Sequence, residues 1–175
     1  MVRTIPGGMN GLPKKPGMIW HYVLIVILVI TSILNFFYGS RVIGAKHYGS
    51  AAEAEAMYFY FPGLQTVDTV FGWFCVALAT LGFIIAYLLY RKKKQGPLLL
   101  TLLLVLNAVA QILYFAAVIM LMSKDRGFDA EMIKQSIGQL LMNGVIWQIV
   151  LTVISTVVMI VVNWIYYKKR KELFS

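Results

Sequence analysis

The chain has 175 residues, of which 60% are hydrophobic and 13% charged, and its formal net charge is +9. Because soluble domains carry about 25% charged residues, this composition excludes an ordinary soluble domain and indicates an integral membrane protein. The single cysteine, Cys75, excludes an internal disulfide and a zinc site built from cysteines.

Four stretches of the chain reach the roughly 20 apolar residues that a membrane-spanning helix needs. They predict spans over 18–38, 67–90, 98–122 and 141–167. The predicted fold is all-α, a four-helix transmembrane bundle over 18–167, with a flexible tail over 1–17 and a basic tail over 168–175. Gly96 and Pro97 lie between the second and third spans, where a turn followed by a helix start is expected. These two spans should form an antiparallel hairpin.

The segment between the first and second spans predicts a short helix of its own. Ser50 is followed three residues later by Glu53, the spacing of a capping box at a helix N-terminus. The alanine-rich run then continues to Pro62 and Gly63, which should end the helix. Its aromatic end predicts an amphipathic helix that lies on the membrane surface.

The basic residues are concentrated on one side of the predicted membrane. The N-terminal tail, the turn after the second span and the C-terminal tail together carry about +10, whereas the two remaining loops carry about −1. The positive-inside rule therefore predicts a cell-membrane protein with both termini in the cytoplasm. The basic clusters should bind anionic lipid headgroups rather than nucleic acid, because no aromatic side chains alternate with the lysines. They consist of Arg91, Lys92, Lys93 and Lys94, and of Lys168, Lys169 and Arg170.

Polar side chains recur on one face of each predicted span. In the third span Asn107, Gln111 and Tyr114 share a face. One interpretation is that these groups hydrogen-bond across helices and only hold the bundle together. The other follows from their depth: they gather in the outer half of the membrane, which favours a polar crevice that opens outward and is capped by the 50–61 helix and its tyrosines. The predicted polar crevice comprises Asn35, Asp68, Asn107, Gln111, Tyr114, Gln148 and Thr152.

Small residues form a stripe along the second span, at Gly72, Ala79, Gly82 and Ala86. Small side chains let helix backbones approach closely, so the stripe predicts a helix-packing face. The stripe has more small residues than packing against one antiparallel helix usually requires. We therefore expect part of it to face outward and to support a homo-oligomer or a complex with another membrane protein.

The titratable residues of the sequence do not match the spacing of any catalytic site. Asp68 is expected to cap the second span, with an ion or substrate site as the alternative. His47 has no ligand partner at metal-binding spacing. His21 lies among interfacial aromatic residues and is interpreted as an anchor, and Cys75 as an unreactive packing residue. No catalytic motif is present. The sequence thus predicts a protein that is not an enzyme and that binds neither a cofactor nor a metal.

Three stretches, "MIWHYVLIVILVITSILNFFYGS", "MYFYFPGLQTVD" and "GPLLLTLLLVLNAV", carry a resemblance to a group of proteins. They are similar to uncharacterised four-helix membrane proteins of gut Firmicutes. Some of those proteins have an N-terminal zinc ribbon, but the corresponding segment here has no cysteine, so no zinc site carries over. The resemblance implies a bacterial cell-membrane protein and does not imply a function.

Two functions follow from these features. The first is a non-enzymatic membrane protein that acts through helix–helix interaction, as an accessory or assembly subunit or as a homo-oligomer. The second is a small transporter or channel-like protein that binds a small or amphiphilic ligand in the polar crevice. A continuous channel is disfavoured because the inner half of the third span, "LLLTLLLVL", is apolar.

Overall fold

The computed structural model describes residues 18–122 and 128–174, which are helical and contain no strand. The predicted flexible tail, 1–17, lies outside these residues. In chain order the helices are α1 (Ile19–Ile43), α2 (Ala51–Tyr60), α3 (Leu64–Tyr90), α4 (Gln95–Met122) and α5 (Phe128–Lys168), followed by a short 3-10 turn (Lys171–Leu173).

Among the described residues, four helical segments are long and apolar enough to cross a membrane: Ile19–Ile43, Leu64–Tyr90, Gln95–Met122 and Ile149–Lys168. The prediction of four spans is therefore confirmed, and the chain is a multi-pass membrane protein by length and composition. We call the end of the bundle that carries residues 44–63 the loop end. The opposite end, which carries the basic turn over residues 91–94, is the hinge end.

Helix α3 is the centre of the bundle, with α1 and α4 packed against it and α5 packed against α4. The closest approach is between α1 and α3, where a Cβ atom on Gly39 would lie 2.6 Å from the carbonyl oxygen of Gly72. Farther along the same interface, Gly82 faces Ser32. The predicted first span ended at residue 38, but α1 continues to Ile43, because Gly39 is a packing position inside the helix rather than its end.

The interior differs between the two halves of the bundle. Toward the hinge end it is an apolar cluster of leucine and isoleucine side chains from α1, α3 and α4, closed by Tyr167 and Phe174. At the loop end, α2 packs on the bundle through Met57 and Phe61, which contact Leu64 and the end of α4. Several apolar side chains of α4, and of the part of α5 whose side chains are described, are exposed, as expected for helices that face lipid.

The lid, which we define as residues 44–63, has the predicted short helix. The Ser50 hydroxyl accepts a hydrogen bond from the Glu53 backbone N–H at 3.2 Å, so the predicted cap is confirmed. Helix α2 ends at Tyr60, and the following Gly63 has a φ of +98°, which strongly favours glycine. The lid therefore crosses from α1 to α3 as a capped helix closed by a glycine turn.

Candidate functional site

Asp68 lies inside the bundle rather than at the end of a helix. Helix α3 begins at Leu64 after the cap residue Gly63, and Asp68 is more than a turn farther along the helix, with a fully buried side chain. The expectation that Asp68 caps the second span is therefore wrong. The helix starts earlier than predicted because its first turn packs against the lid, and this places the carboxylate below the helix terminus.

Three tyrosine hydroxyls from three chain segments donate hydrogen bonds to the Asp68 carboxylate. Tyr48 in the lid and Tyr58 on α2 donate to Oδ2, at 2.8 and 3.1 Å, and Tyr114 on α4 donates to Oδ1 at 2.9 Å. Hydrogen bonds to a charged acceptor are the strong ones, and they offset the cost of burying a carboxylate. Asp68 therefore ties the lid, α3 and α4 together at the loop end.

His47 contributes the basic partner of this group. Its Nε2 lies 3.3 Å from Asp68 Oδ2, and its ring lies 3.9 Å from that of Tyr48, between centroids. The sequence had indicated no partner for His47, because the two residues are far apart along the chain. When protonated, the imidazole forms an ion pair with Asp68. Within the described residues, no three histidine, cysteine or acidic side chains gather as a metal site would require.

The two lid tyrosines remain neutral hydrogen-bond donors at physiological pH. Burial, and then the negative charge and hydrogen bonding of Asp68, raise the pKa of Tyr58 to about 12. Burial and the Asp68 carboxylate also raise the pKa of Tyr48 well above its usual value. Because both hydroxyls keep their protons, both continue to donate to Asp68 when the solution is mildly alkaline.

A small cavity lies deeper in the bundle than Asp68, and we call it the inner cavity. Its volume is about 60 Å³, and three amide side chains of the predicted polar crevice line it: Asn35, Asn107 and Gln111. Cys75 also lines it, about 17 Å along α3 from Leu64 at 1.5 Å per residue. The inner cavity therefore lies in the half of the membrane-spanning bundle nearer the loop end.

The inner cavity and Asp68 are neighbours through a pair of stacked rings. Phe71 lines the cavity, and its ring stacks on that of Tyr114 with 4.0 Å between centroids, while the Tyr114 hydroxyl bonds to Asp68.

The predicted crevice residues also contact α5, where the Gln111 side-chain amide oxygen accepts a hydrogen bond from the Thr152 hydroxyl at 3.0 Å. Of the predicted crevice residues, the side chain of Gln148 lies outside the described residues. The other six form two adjoining groups, one around Asp68 and one around the cavity.

A larger depression lies above Asp68 on the surface of the loop end. It has a volume of about 720 Å³ and is lined by the turn after α1, by one face of α2 and by Gln65. Tyr58 is part of this lining, and the same side chain donates to the Asp68 carboxylate. Tyr58 therefore separates the depression from the buried carboxylate.

His21 forms a second buried polar contact, at the hinge end. Its Nε2 lies 3.1 Å from the Leu89 carbonyl oxygen and its Nδ1 3.2 Å from the Tyr167 hydroxyl. Because a carbonyl oxygen only accepts, Nε2 donates, and in the neutral ring Nδ1 accepts from Tyr167. The interpretation of His21 as an interfacial anchor is wrong, since its side chain is fully buried and joins α1, α3 and α5.

The small-residue stripe on α3 is occupied within the chain. Gly72 and Gly82 face α1, and Ala79 and Ala86 are buried. The expectation that part of this stripe faces outward is wrong, because all four residues are buried within the chain and α1 approaches Gly72 and Gly82 through its own small residues Gly39 and Ser32. Cys75 lies on the same face, where it is buried and also lines the inner cavity.

Comparison of the chain with protein-family models, with curated proteins and with solved structures finds no match. The resemblance to four-helix membrane proteins of gut Firmicutes therefore stays a prediction, and the function is argued from the site alone.

Proposed function

We propose that this protein is a small transporter that takes a small ligand into the polar core at its loop end. The observation that carries the proposal is the Asp68 carboxylate, which is fully buried within a membrane-spanning helix and bonded to two hydroxyls of the lid. Ionisable groups inside a membrane are costly, and they commonly mark ligand or ion pathways. Apolar side chains at this position would hold the helices together without that cost.

The arrangement of cavities supports a path from the loop end inward. A ligand in the surface depression reaches Asp68 when the Tyr58 side chain moves, and the inner cavity adjoins Asp68 beyond the Phe71–Tyr114 stack. The apolar cluster of the hinge half then closes the path. This is the arrangement of a closed binding state with the lid down, and transport requires a second state in which the hinge half opens. The proposal includes no catalytic step.

The alternative is an accessory or assembly subunit, or a homo-oligomer, that acts through helix contacts. It takes second place because the small-residue stripe that suggested it is already covered by α1. The exposed apolar side chains of α4 and α5 are what lipid contact requires of any membrane-spanning helix. They therefore do not distinguish a partner protein from lipid.

We further propose that the loop end faces outward from the cell membrane and that both termini are cytoplasmic. The excess of basic residues at the hinge end supports this orientation. Lys168 lies 4.6 Å from the centre of the Trp164 ring and Arg170 lies 4.0 Å from that of Tyr166. Cations paired with aromatic rings suit an interface with anionic headgroups. At the other end, Phe59 on α2 is exposed, and in this orientation it contacts the outer membrane surface.

A single substitution tests whether the Tyr58 hydroxyl holds the lid closed over Asp68. In Tyr58→Phe, Asp68 loses one donor while the ring that packs in the lid is kept. A hydrogen bond to a charged acceptor contributes about 1.5–3 kcal/mol, so the lid should open roughly tenfold more often or more. We expect Cys75 in the purified protein to react correspondingly faster with a small thiol reagent, because Cys75 lines the inner cavity.

Tyr60→Phe is the matched control. Tyr60 lies on the same helix but packs against the apolar cluster under the lid rather than against Asp68, so its substitution should leave the reaction rate of Cys75 unchanged. Equal rates in Tyr58→Phe and wild type would show that the Tyr58 hydroxyl does not hold the lid, and the proposed path would be wrong.

A further inference from the structure

The lining of the inner cavity includes polar side chains that have no hydrogen-bond partner among the described residues. The amides of Asn35 and Asn107 both line it and are half-buried, and neither forms a hydrogen bond with a described residue. Together with the Gln111 amide they give one small space three neutral polar groups, a lining that suits a polar or charged occupant.

The chemistry of the lining favours a positively charged occupant. Its polar groups include the amide oxygens of Asn35, Asn107 and Gln111, which are neutral oxygen ligands of the kind that bind hard cations. The faces or edges of Phe71 and Phe115 also line the cavity, and aromatic faces attract cations. Among the described residues no lysine or arginine lines it. An anion would meet the nearby negative charge of Asp68.

The size and the charge of the surroundings restrict the cation further. A volume of about 60 Å³ holds roughly two water molecules at their share of liquid volume. An amino acid or an amphiphile does not fit. Divalent ions are usually bound by one or more carboxylates in direct contact, whereas the carboxylate here lies one layer away and bonds to Tyr114. These features favour a single positive charge.

We propose that the inner cavity binds a small monovalent cation, a metal ion or ammonium, coordinated by the amide oxygens and balanced by Asp68. This inference rests on the proposed function, because the cation is the ligand that the lid would admit. The Tyr58 side chain at the base of the surface depression then controls the entry of the cation as well as the accessibility of Cys75.

The test is the melting temperature of the purified protein in mild detergent, at one fixed ionic strength, in the chlorides of sodium, potassium, ammonium and N-methyl-D-glucamine. The last cation is too large for the cavity. A ligand that binds only the folded protein raises its stability with concentration. At 100 times the Kd of the preferred cation, we expect Tm to rise by roughly 5–11 °C above its value in N-methyl-D-glucamine.

Substitutions show whether the effect arises in the inner cavity. Asn107→Leu and Asn35→Leu should each abolish the cation-dependent rise, and the second variant serves if the first does not fold. Asn163→Leu is the matched control, because Asn163 is a buried amide of α5 that does not line the cavity, and the rise should persist. The same Tm in all four salts would mean that the cavity holds water only and would overturn the inference. A rise that survives in both cavity variants would overturn it as well.

Failure of this inference is distinguishable from failure of the proposed function. If Cys75 becomes more reactive in Tyr58→Phe but no cation changes Tm, the lid and its path stand and the ligand is of another kind. If the reactivity of Cys75 does not respond to Tyr58→Phe, the path itself is wrong, whatever the salts do.

Discussion

Replacing Gly39 with alanine is expected to destabilise the protein by about 1–3 kcal/mol, the usual cost of overpacking a tight interface. The added Cβ atom would lie 2.6 Å from the carbonyl oxygen of Gly72 and 3.0 Å from Cβ of Cys75. Real contacts are longer, and the first is to backbone, so α1 and α3 must separate. In a chain of this length the loss should lower Tm by roughly 2–12 °C, measured in mild detergent.

Gly44→Ala is the control for this substitution. Gly44 ends α1 with a negative φ of −83°, and a Cβ atom added there meets its nearest neighbour at 3.5 Å, an ordinary contact. We expect its Tm to stay within about 2 °C of wild type, as for surface changes of up to 0.5 kcal/mol. An equally small effect of Gly39→Ala would mean that α1 and α3 are not in contact at Gly39, and the packing described here would be wrong.

Replacing Asp68 with leucine should have the larger effect, about 3–5 kcal/mol, because it removes the common acceptor of a buried network. The hydroxyls of Tyr48, Tyr58 and Tyr114 would then be left in an apolar environment without their acceptor. Asp68→Asn should cost less, since the amide keeps an acceptor oxygen of similar size. The measurement is again Tm in detergent, with folding checked by size-exclusion chromatography.

Glu55→Gln is the control for the Asp68 variants, because Glu55 is an exposed acid on α2 that lines only the surface depression. It should change Tm little. If Asp68→Leu proved as stable as wild type, Asp68 would not be the centre of the loop end. A higher Tm for Asp68→Leu than for Asp68→Asn would also contradict the account, because it would mean that the hydroxyls do not need an acceptor.

The sequence allowed the helices to be predicted well, because their apolar length is a local property that the bilayer dictates. The Ser50 cap of the lid helix was equally local and was confirmed. The end of α1 was predicted too early, since Gly39 reads as a helix end in isolation. Its role depends on Gly72, a residue of another helix, and such pairings between distant positions are not visible in a local pattern.

The same limitation explains what was missed in the site. The crevice prediction named Asn35, Asn107 and Gln111, and all three line the inner cavity, because polar residues on the inner faces of apolar helices have few other places to lie. It expected the tyrosines of the 50–61 helix to cap the crevice, but it did not assign the hydrogen bonds of Tyr48 and Tyr58 to Asp68. Their link to Asp68 depends on how the lid folds back over α3, which no spacing in the sequence encodes.

The expected outward face of the small-residue stripe failed for a related reason. A stripe of glycine and alanine indicates that a backbone approaches closely but does not tell whose backbone it is. Here α1 supplies the partner, with Gly39 opposite Gly72 and Ser32 opposite Gly82. A search of the first span for matching small residues at the same depth would have found them.

The central claim is that the polar core is reached from the loop end, and Cys75, the single cysteine, reports on it directly. The measurement is the reaction of Cys75 with a small membrane-impermeant thiol reagent in sealed right-side-out and inside-out vesicles, for wild type and Tyr58→Phe. The account predicts that the reagent reacts only from the outer side, where we place the loop end, and faster in the variant. Reaction only in inside-out vesicles, or no reaction of the variant from either side, would contradict it.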